Sequence, residues 1–330
     1  MKLSVSITTY NHDKYIAQAL ESVLVQRTKF DYEMIIGEDG SKDNTRKIVQ
    51  DYQNRFPDKI RLFLNERKNV IYIDGIPTGS WNLVNNLKHA KGEYIALLDG
   101  DDYWTNPYKL QKQVDFLDNH PECAICFHNV TVFHEEGEHE PFNHFSDNRK
   151  EIFTLKDLLR GNFIHTSSVM FRRGLFGEFP QWYYKCKMGD WPLHILNAQY
   201  GDIGYINQVM AAYRVHSMGV WSPKNQIEMK IDSICAANKI RHVLNHKHKK
   251  NLNYTLTQWY KQIMRDIKFL AEKRNFDDAS YYSRKCFNKF LNLDEVSNRM
   301  LTELFFIGHF PRLTYLVIRK SYRKILSIIC

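Results

Sequence analysis

Closely spaced carboxylates are the first chemistry visible in this 330-residue chain. Asp99, Asp101 and Asp102 fall within four residues, with Gly100 between the first two, at the end of the apolar run Tyr94-Ile95-Ala96-Leu97-Leu98. A strand that ends in packed negative charge needs a cation or hydrogen-bond donors to compensate it. The stretch reads either as a solvated Asp-Gly turn or as a divalent-metal site at the carboxyl end of a strand, where open α/β sheets bind ligands. Asp39, in Glu38-Asp39-Gly40-Ser41, can accept a hydrogen bond from an imide N–H or a ribose hydroxyl, and Tyr10 can stack beside a planar base. A plain turn explains Asp39 and Gly40 equally well. Asp190, just before Trp191-Pro192, suits the first turn of a helix or the role of general base toward an acceptor hydroxyl. His216, in a polar loop with Arg214 and Ser217, suits a diphosphate or a metal.

These residues need a scaffold that brings them together. Alternation predicts strands at Leu3–Thr8, Phe30–Ile36, Ile60–Leu64 and Tyr94–Leu98. Helical spacing predicts helices at Tyr15–Val25, Thr45–Phe56 and Asn82–His89, with a long loop over Asn65–Ser80. Strands alternating with helices imply a mostly parallel sheet covered by helices, with the acidic strand ends along one edge. Further on, a helix is expected at Pro107–His120 and strands at Ala124–Phe133 and His165–Phe171. A short helix is expected at Thr154–Arg160, and another at Leu193–Gln199. Ile203–Ile206 and Val209–Val215 read as paired strands about an Asn207-Gln208 turn. After residue 225 the pattern becomes helical: Ile227–Leu244, Leu256–Lys273, Asp277–Phe290 and Asp294–Phe306.

Composition excludes several classes. With 43% hydrophobic and 25% charged residues the chain is a folded protein, not a disordered one. No run of 18 apolar residues suggests a spanning helix, and the start is too short and polar for a signal peptide. Six scattered cysteines suit a reduced, cytoplasmic protein, and Cys123-x-x-Cys126 reads as buried thiols. Neither a G-x-G-x-x-G after the first strand nor a P-loop occurs. The net charge of +9 is uneven: residues 230–330 hold 20 Lys and Arg against 8 Asp and Glu. Such a tail points to a polyanion or an anionic membrane surface. Leu313–Ile329 spaces aliphatic and cationic residues as a basic amphipathic helix would, suited to a membrane interface or to packing on the body or a second subunit. No nucleic-acid motif accompanies the charge.

Several stretches together carry a resemblance. They are Val5-Ser6-Ile7-Thr8-Thr9-Tyr10-Asn11, Glu38-Asp39-Gly40-Ser41-Lys42-Asp43-Asn44-Thr45, Gly92 to Trp104, Gly189-Asp190-Trp191 and Tyr213-Arg214-Val215-His216. In order and spacing the chain resembles the inverting family 2 glycosyltransferases of the GT-A fold, of bacterial surface-polysaccharide type. The resemblance implies a catalytic domain over 1–225, with a nucleotide-binding half at 1–104 and an acceptor-binding half at 105–225. Residues 226–330 form a basic α-helical region outside it. It implies that Thr8, Tyr10 and Asp39 hold the base, and that Asp99 and Asp101 form the D-x-D element. Asp101 would ligate Mn²⁺ or Mg²⁺, and Asp99 would face ribose or a metal-bound water. His216 would approach the metal or diphosphate, and Asp190 would be the general base. The expected reaction moves a sugar from a nucleotide-diphosphate donor, UDP-linked by expectation, to a glycan or polyprenyl-linked saccharide on the cytoplasmic face of the inner membrane. The sequence departs from the family at Glu38, Trp81 and Gly189, which leaves Arg67 and Asn69 without an assigned role. Alternatives are a nucleotidyltransferase or sugar pyrophosphorylase, or a non-catalytic carbohydrate-binding protein. The first would want a Gly/Arg/Lys-rich loop after strand one, where Thr9-Tyr10-Asn11-His12-Asp13 stands.

Overall fold

Leu3, Val5 and Ile7 drive the first strand, β1 (Leu3–Thr9), into the centre of a sheet. A computed structural model describes residues 1–145, 150–219, 224–291, 293, 296–312 and 314–315. The chain divides into two compact units, Met1–Pro223 and Lys224–Cys330. In the first, β1 is followed by α1 (Ile16–Leu24), β2 (Tyr32–Glu38), α2 (Thr45–Arg55) and β3 (Ile60–Leu64). The predicted loop at Asn65–Ser80 contains a small separate hairpin, β4 (Ile71–Ile73) and β5 (Ile76–Thr78). Asp74 and Gly75 at its tip both have positive φ, the conformation that two-residue hairpin turns require. Then come α3 (Ser80–His89), β6 (Tyr94–Asp99), β7 (Tyr103–Trp104), α4 (Lys109–Asn119), β8 (Cys123–His134), β9 (Phe142–Asn143), β10 (Ile152–Phe153), α5 (Leu155–Leu158), β11 (Met170–Arg172), α6 (Asp190–Ala198) and β12 (Asp202–Val215).

The main sheet runs β10-β12-β8-β11-β6-β1-β2-β3, with β7 added to β12 and β9 to β8. β3, β2, β1 and β6 are parallel, as the alternating pattern predicts. Beyond β6 the sheet is mixed, because β11 lies antiparallel between β6 and β8. Two expectations are corrected here. Ile203–Ile206 and Val209–Val215 are one strand, β12, parallel to β8. Asn207 and Gln208 sit at a register shift rather than a hairpin turn, since β8 offers a partner along the whole length. His165–Phe171 is a 3₁₀ turn at Thr166–Ser168 followed by the three-residue β11.

Polar positions on the inner strands are satisfied by specific partners, as buried polar groups must be. Ser4 donates to Glu33 at 2.7 Å, and Glu33 also accepts from Arg61 at 2.9 Å. From α3, Asn82 Nδ2 donates to the Gly37 carbonyl at 2.8 Å and Asn86 Nδ2 to the Ile7 carbonyl at 3.0 Å. A Cβ on Gly37 would lie 1.8 Å from Asn82 Oδ1, so this approach of helix to strand requires glycine. These bonds hold the carboxyl ends of β1 and β2 in register. Cys123 and Cys126 are buried in β8.

The second unit contains α7 (Gln226–Arg241), α8 (His246–Glu272), α9 (Phe276–Phe290) and α10 (Asn298–His309). α8 begins ten residues before the predicted start at Leu256, because Asn245 caps it by accepting the His248 N–H at 3.0 Å. No described helix is long and apolar enough to cross a membrane. The basic helix expected at Leu313–Ile329 lies outside the described residues, apart from Thr314 and Tyr315.

Candidate active site

Strand register places the acidic loops side by side: Thr8 pairs with Asp99 on one flank of β1, and Thr9 with Glu38 on the other. The Asp39 N–H donates to the Thr9 carbonyl at 3.0 Å and the Gly100 N–H to the Thr8 carbonyl at 2.9 Å, so both loops leave the sheet locked to β1. The β1–α1 loop is further pinned to the β2–α2 loop. Asn11, with φ of 54°, donates its N–H to Ser41 Oγ and accepts from the Lys42 N–H, both at 2.9 Å. The His12 N–H donates to Thr45 Oγ1 at 2.7 Å. Glu38 is wholly buried, accepts the Ser41 N–H and pairs with Arg46, which fixes the turn presenting Asp39.

Asp39 is buried and one of its oxygens, Oδ1, has no hydrogen-bond partner. Burial pushes its pKa up to about 6, against the opposing pull of Arg67. Arg67 Nη1 lies 3.3 Å from Asp39 Oδ2, and its guanidinium sits 4.2 Å from the Tyr10 ring centre. An unpartnered carboxylate oxygen beside an aromatic ring and a planar cation suits a nucleobase edge.

Across β1, Thr8 Oγ1 donates to Asp99 Oδ1 at 2.8 Å. Burial, and then the charge of Asp101, raises the Asp99 pKa. Gly100 is required between them, since a Cβ there would stand 2.6 Å from Thr9 Oγ1 and 2.9 Å from His12 Nδ1. Asp101 Oδ2 faces two imidazoles, His216 Nε2 at 3.1 Å and His12 Nε2 at 3.7 Å. Burial raises the Asp101 pKa, but the His216 hydrogen bond and the His12 charge outweigh it and hold the carboxyl below its ordinary range. Asp102 turns inward, where it accepts the Arg214 N–H at 2.9 Å, and burial raises its pKa strongly. Arg214 donates in turn to the Asp101 carbonyl at 2.9 Å and to Gln18 at 2.7 Å, and pairs with Glu135. The β12 end is thereby clamped to the acidic loop.

Asp190 opens α6 as its first residue, not as its cap. Burial raises its pKa, and Asn162 Nδ2 donates to its Oδ2 at 2.6 Å. The charge of Asp190 is felt at Asp99, and Tyr213 feels Asp102, Asp101, Asp99 and Asp190 together. The four acids therefore lie within electrostatic reach of one phenol. The neighbouring aromatics divide: Tyr183 and Trp191 are core, and Tyr183 Oη donates to the Gly189 carbonyl at 2.9 Å to seat the start of α6.

Residues 4–179 match the family model described as Glycosyl transferase family 2. The chain belongs to that family. Its fold is the GT-A fold: the Staphylococcus aureus TarS 1–349 structure, in complex with UDP-GlcNAc, superposes with a TM-score of 0.65 at 19% identity, covering 98% of this chain and 92% of that one. An uncharacterized Mycobacterium tuberculosis protein is 38% identical over 224 residues, 66% of this chain and 60% of its own length. TuaG of Bacillus subtilis, by name a teichuronic acid biosynthesis glycosyltransferase, is 30% identical over 224 residues, 67% of this chain and 82% of TuaG. The chain thus matches about 60% of the length of the mycobacterial relative.

In this family 2 chain, Thr8, Tyr10, Asp39, Asp99, Asp101, Asp190 and His216 all lie at one end of the sheet, in two groups. Tyr10 and Asp39 stand on the β2 side of β1; Asp99, Asp101, His216 and Asp190 stand on the β6 side, and the Thr8 hydroxyl joins this second group through Asp99. Among the described residues no three Asp, Glu, His or Cys side chains close into a metal cage. Asp101 and Asp99 still fit a hard cation of the kind that takes one or two protein carboxylates and completes its shell from a substrate diphosphate. Burial and the charge of Asp101 raise the Asp99 pKa, whereas Asp101 is already offset by His216 and His12.

Sequence reasoning passed over His12 and Asn162 and left Arg67 without a role. His12 and Arg67 are brought in by loop packing rather than by any motif. Asn162 is 28 residues from Asp190, and no spacing rule connects the two.

Proposed function

We propose that this chain transfers a sugar, with inversion, from a UDP-linked donor to a hydroxyl of a surface-polysaccharide precursor. The observation that carries this reading is the gathering of Asp39, Asp99, Asp101 and Asp190 at one sheet edge, with Asp190 within electrostatic reach of Asp99. Family membership and the likeness to TuaG and TarS support it. Residues 1–104 hold the nucleotide, through Asp39, Tyr10 and Thr8, and residues 105–225 receive the acceptor. Arg67, which lies against the Tyr10 ring and beside Asp39, borders the base from that same side. Asp101, with Asp99 and His216 beside it, would hold Mn²⁺ or Mg²⁺, which neutralises charge on the departing diphosphate. Asp190 accepts the proton of the acceptor hydroxyl as that oxygen attacks the anomeric carbon. The bond from that carbon to the diphosphate breaks on the opposite face, so one displacement inverts the centre and needs no covalent intermediate.

Incubation with a panel of UDP- and GDP-sugars, with and without Mn²⁺, tests the reading. Metal-stimulated donor turnover is expected, and no turnover of any donor in either condition would overturn it. The basic tail points to acceptors held at an anionic membrane surface. Removing residues 313–330 is expected to reduce sedimentation with phosphatidylglycerol vesicles, and unchanged sedimentation would refute that placement.

A further inference from the structure

Asn162 has no role in the reading above, yet its amide donates to Asp190 at 2.6 Å. Its amide orientation is set by its neighbours. Asn162 Oδ1 accepts the Ile164 N–H at 3.2 Å, which leaves Nδ2 as the group facing Asp190 Oδ2 at 2.6 Å. An amide turned the other way would set two oxygens against each other. The segment carrying Asn162 is itself anchored to α6, because Trp191 Nε1 donates to the Leu158 carbonyl at 3.0 Å. Asn162 and Asp190 therefore approach each other from two elements tied at a second point. The backbone at the helix start also favours the charged form of this carboxylate.

We propose that Asn162 is a positioning residue for the candidate base: its amide holds the Asp190 carboxylate in one rotamer and in its charged form, ready to accept a proton. This inference rests on Asp190 acting as the base. A charge-assisted hydrogen bond of this length is among the stronger ones and favours the ionised acid. The titratable groups within electrostatic reach of Asp190 are Asp99 from β6, Tyr213 from β12 and Tyr183 ahead of α6. None of them carries positive charge, so the Asn162 amide is the side-chain donor that offsets burial at this carboxylate. Removing it leaves a carboxyl that keeps its proton to higher pH.

The test uses the full chain, and a UDP- or GDP-sugar that the panel above shows to be turned over. For Asn162→Ala the acid limb of kcat/KM against pH should move up by roughly one unit. Transfer should then fall by up to about 10-fold at pH values below the parent limb and recover at pH values above the shifted one. UDP affinity, by calorimetry, should stay within about 2-fold of the parent. Asn162→Asp puts a like charge beside Asp190 and should move the limb further in the same direction. A substrate-independent check is the ¹³C carboxyl titration of Asp190 in aspartate-labelled protein, assigned by its loss in Asp190→Asn; it should move upward in Asn162→Ala. A uniform fall in rate at all pH values, with limb and resonance unmoved, would make Asn162 merely structural and overturn the proposal. An active Asp190→Asn would overturn the base reading as well. An inactive Asp190→Asn beside an unmoved Asn162→Ala limb would overturn only the role of Asn162.

Discussion

The helices of the two units begin in different ways. Among the described residues, α7, α8, α9 and α10 in the second unit each open on a side-chain cap. Asn225, Asn245, Asn275 and Ser297 accept the N–H three residues on, at 3.0 to 3.3 Å. Among the described helices of the first unit α5 alone has such a cap, a Thr154–Asp157 box. α1, α2, α3, α4 and α6 have none. Where α1 and α2 begin, the loops are held by each other instead, through the His12 N–H to Thr45 and the Asp13 N–H to Asp43 at 3.0 Å. Local caps start the described helices of the second unit, whereas contacts between loops add to the starts of α1 and α2, where Asp43 also accepts the Thr45 N–H at 3.0 Å. A site assembled from distant loops gains precise placement, but each loop then depends on its neighbours.

The largest effect that would test this contrast is on turnover. Asp101→Asn should lower transfer about 10³-fold while leaving circular dichroism unchanged; a fall below 10-fold would remove Asp101 from the donor site. Next is Gly37→Ala, whose new methyl meets Asn82 in a fully packed contact. It should cost about 3 kcal/mol in urea unfolding of the first unit, and a cost under 1 kcal/mol would mean that α3 can slide. Asp39→Asn should behave as a pH-dependent stabiliser. The folded pKa is raised to about 6, so between roughly pH 4 and 6 the native state keeps a proton that the unfolded chain has released, and stability falls as pH rises through that window. The amide escapes this loss. Asp39→Asn should therefore gain about 2 kcal/mol at pH 8 and nothing at pH 3.5, while UDP affinity drops. Equal gains at both pH values would show that charge is not the cause. Smallest is Asn245→Ala, which removes one local cap. It should cost about 1 kcal/mol in the second unit without changing turnover, and a parallel loss of turnover would dissolve the contrast between the units.

Much of the site was legible because its residues lie where strands end. Phe30–Ile36 and Tyr94–Leu98 are recognisable from alternation and apolar runs, and the acids that follow them must lie at the sheet edge. The hairpin at Ile71–Thr78 was hidden because Asp74-Gly75 sits inside a longer stretch of loop-forming residues. β12 was misread because Asn207-Gln208 looks like a turn, and only its pairing along the full length of β8 makes it a shift in register.

The sequence by itself determined the family, the strand-end placement of Asp39, Asp99 and Asp101, and the helical character of the second unit. Each of these depends on neighbours close in the chain. Only the tertiary structure decided that Asp101 faces His12 and His216 while Asp102 turns inward to Arg214, that Arg67 covers Tyr10, and that Asn162 reaches Asp190. Those outcomes depend on burial and on contacts across 28 to 115 residues, and no local propensity encodes them.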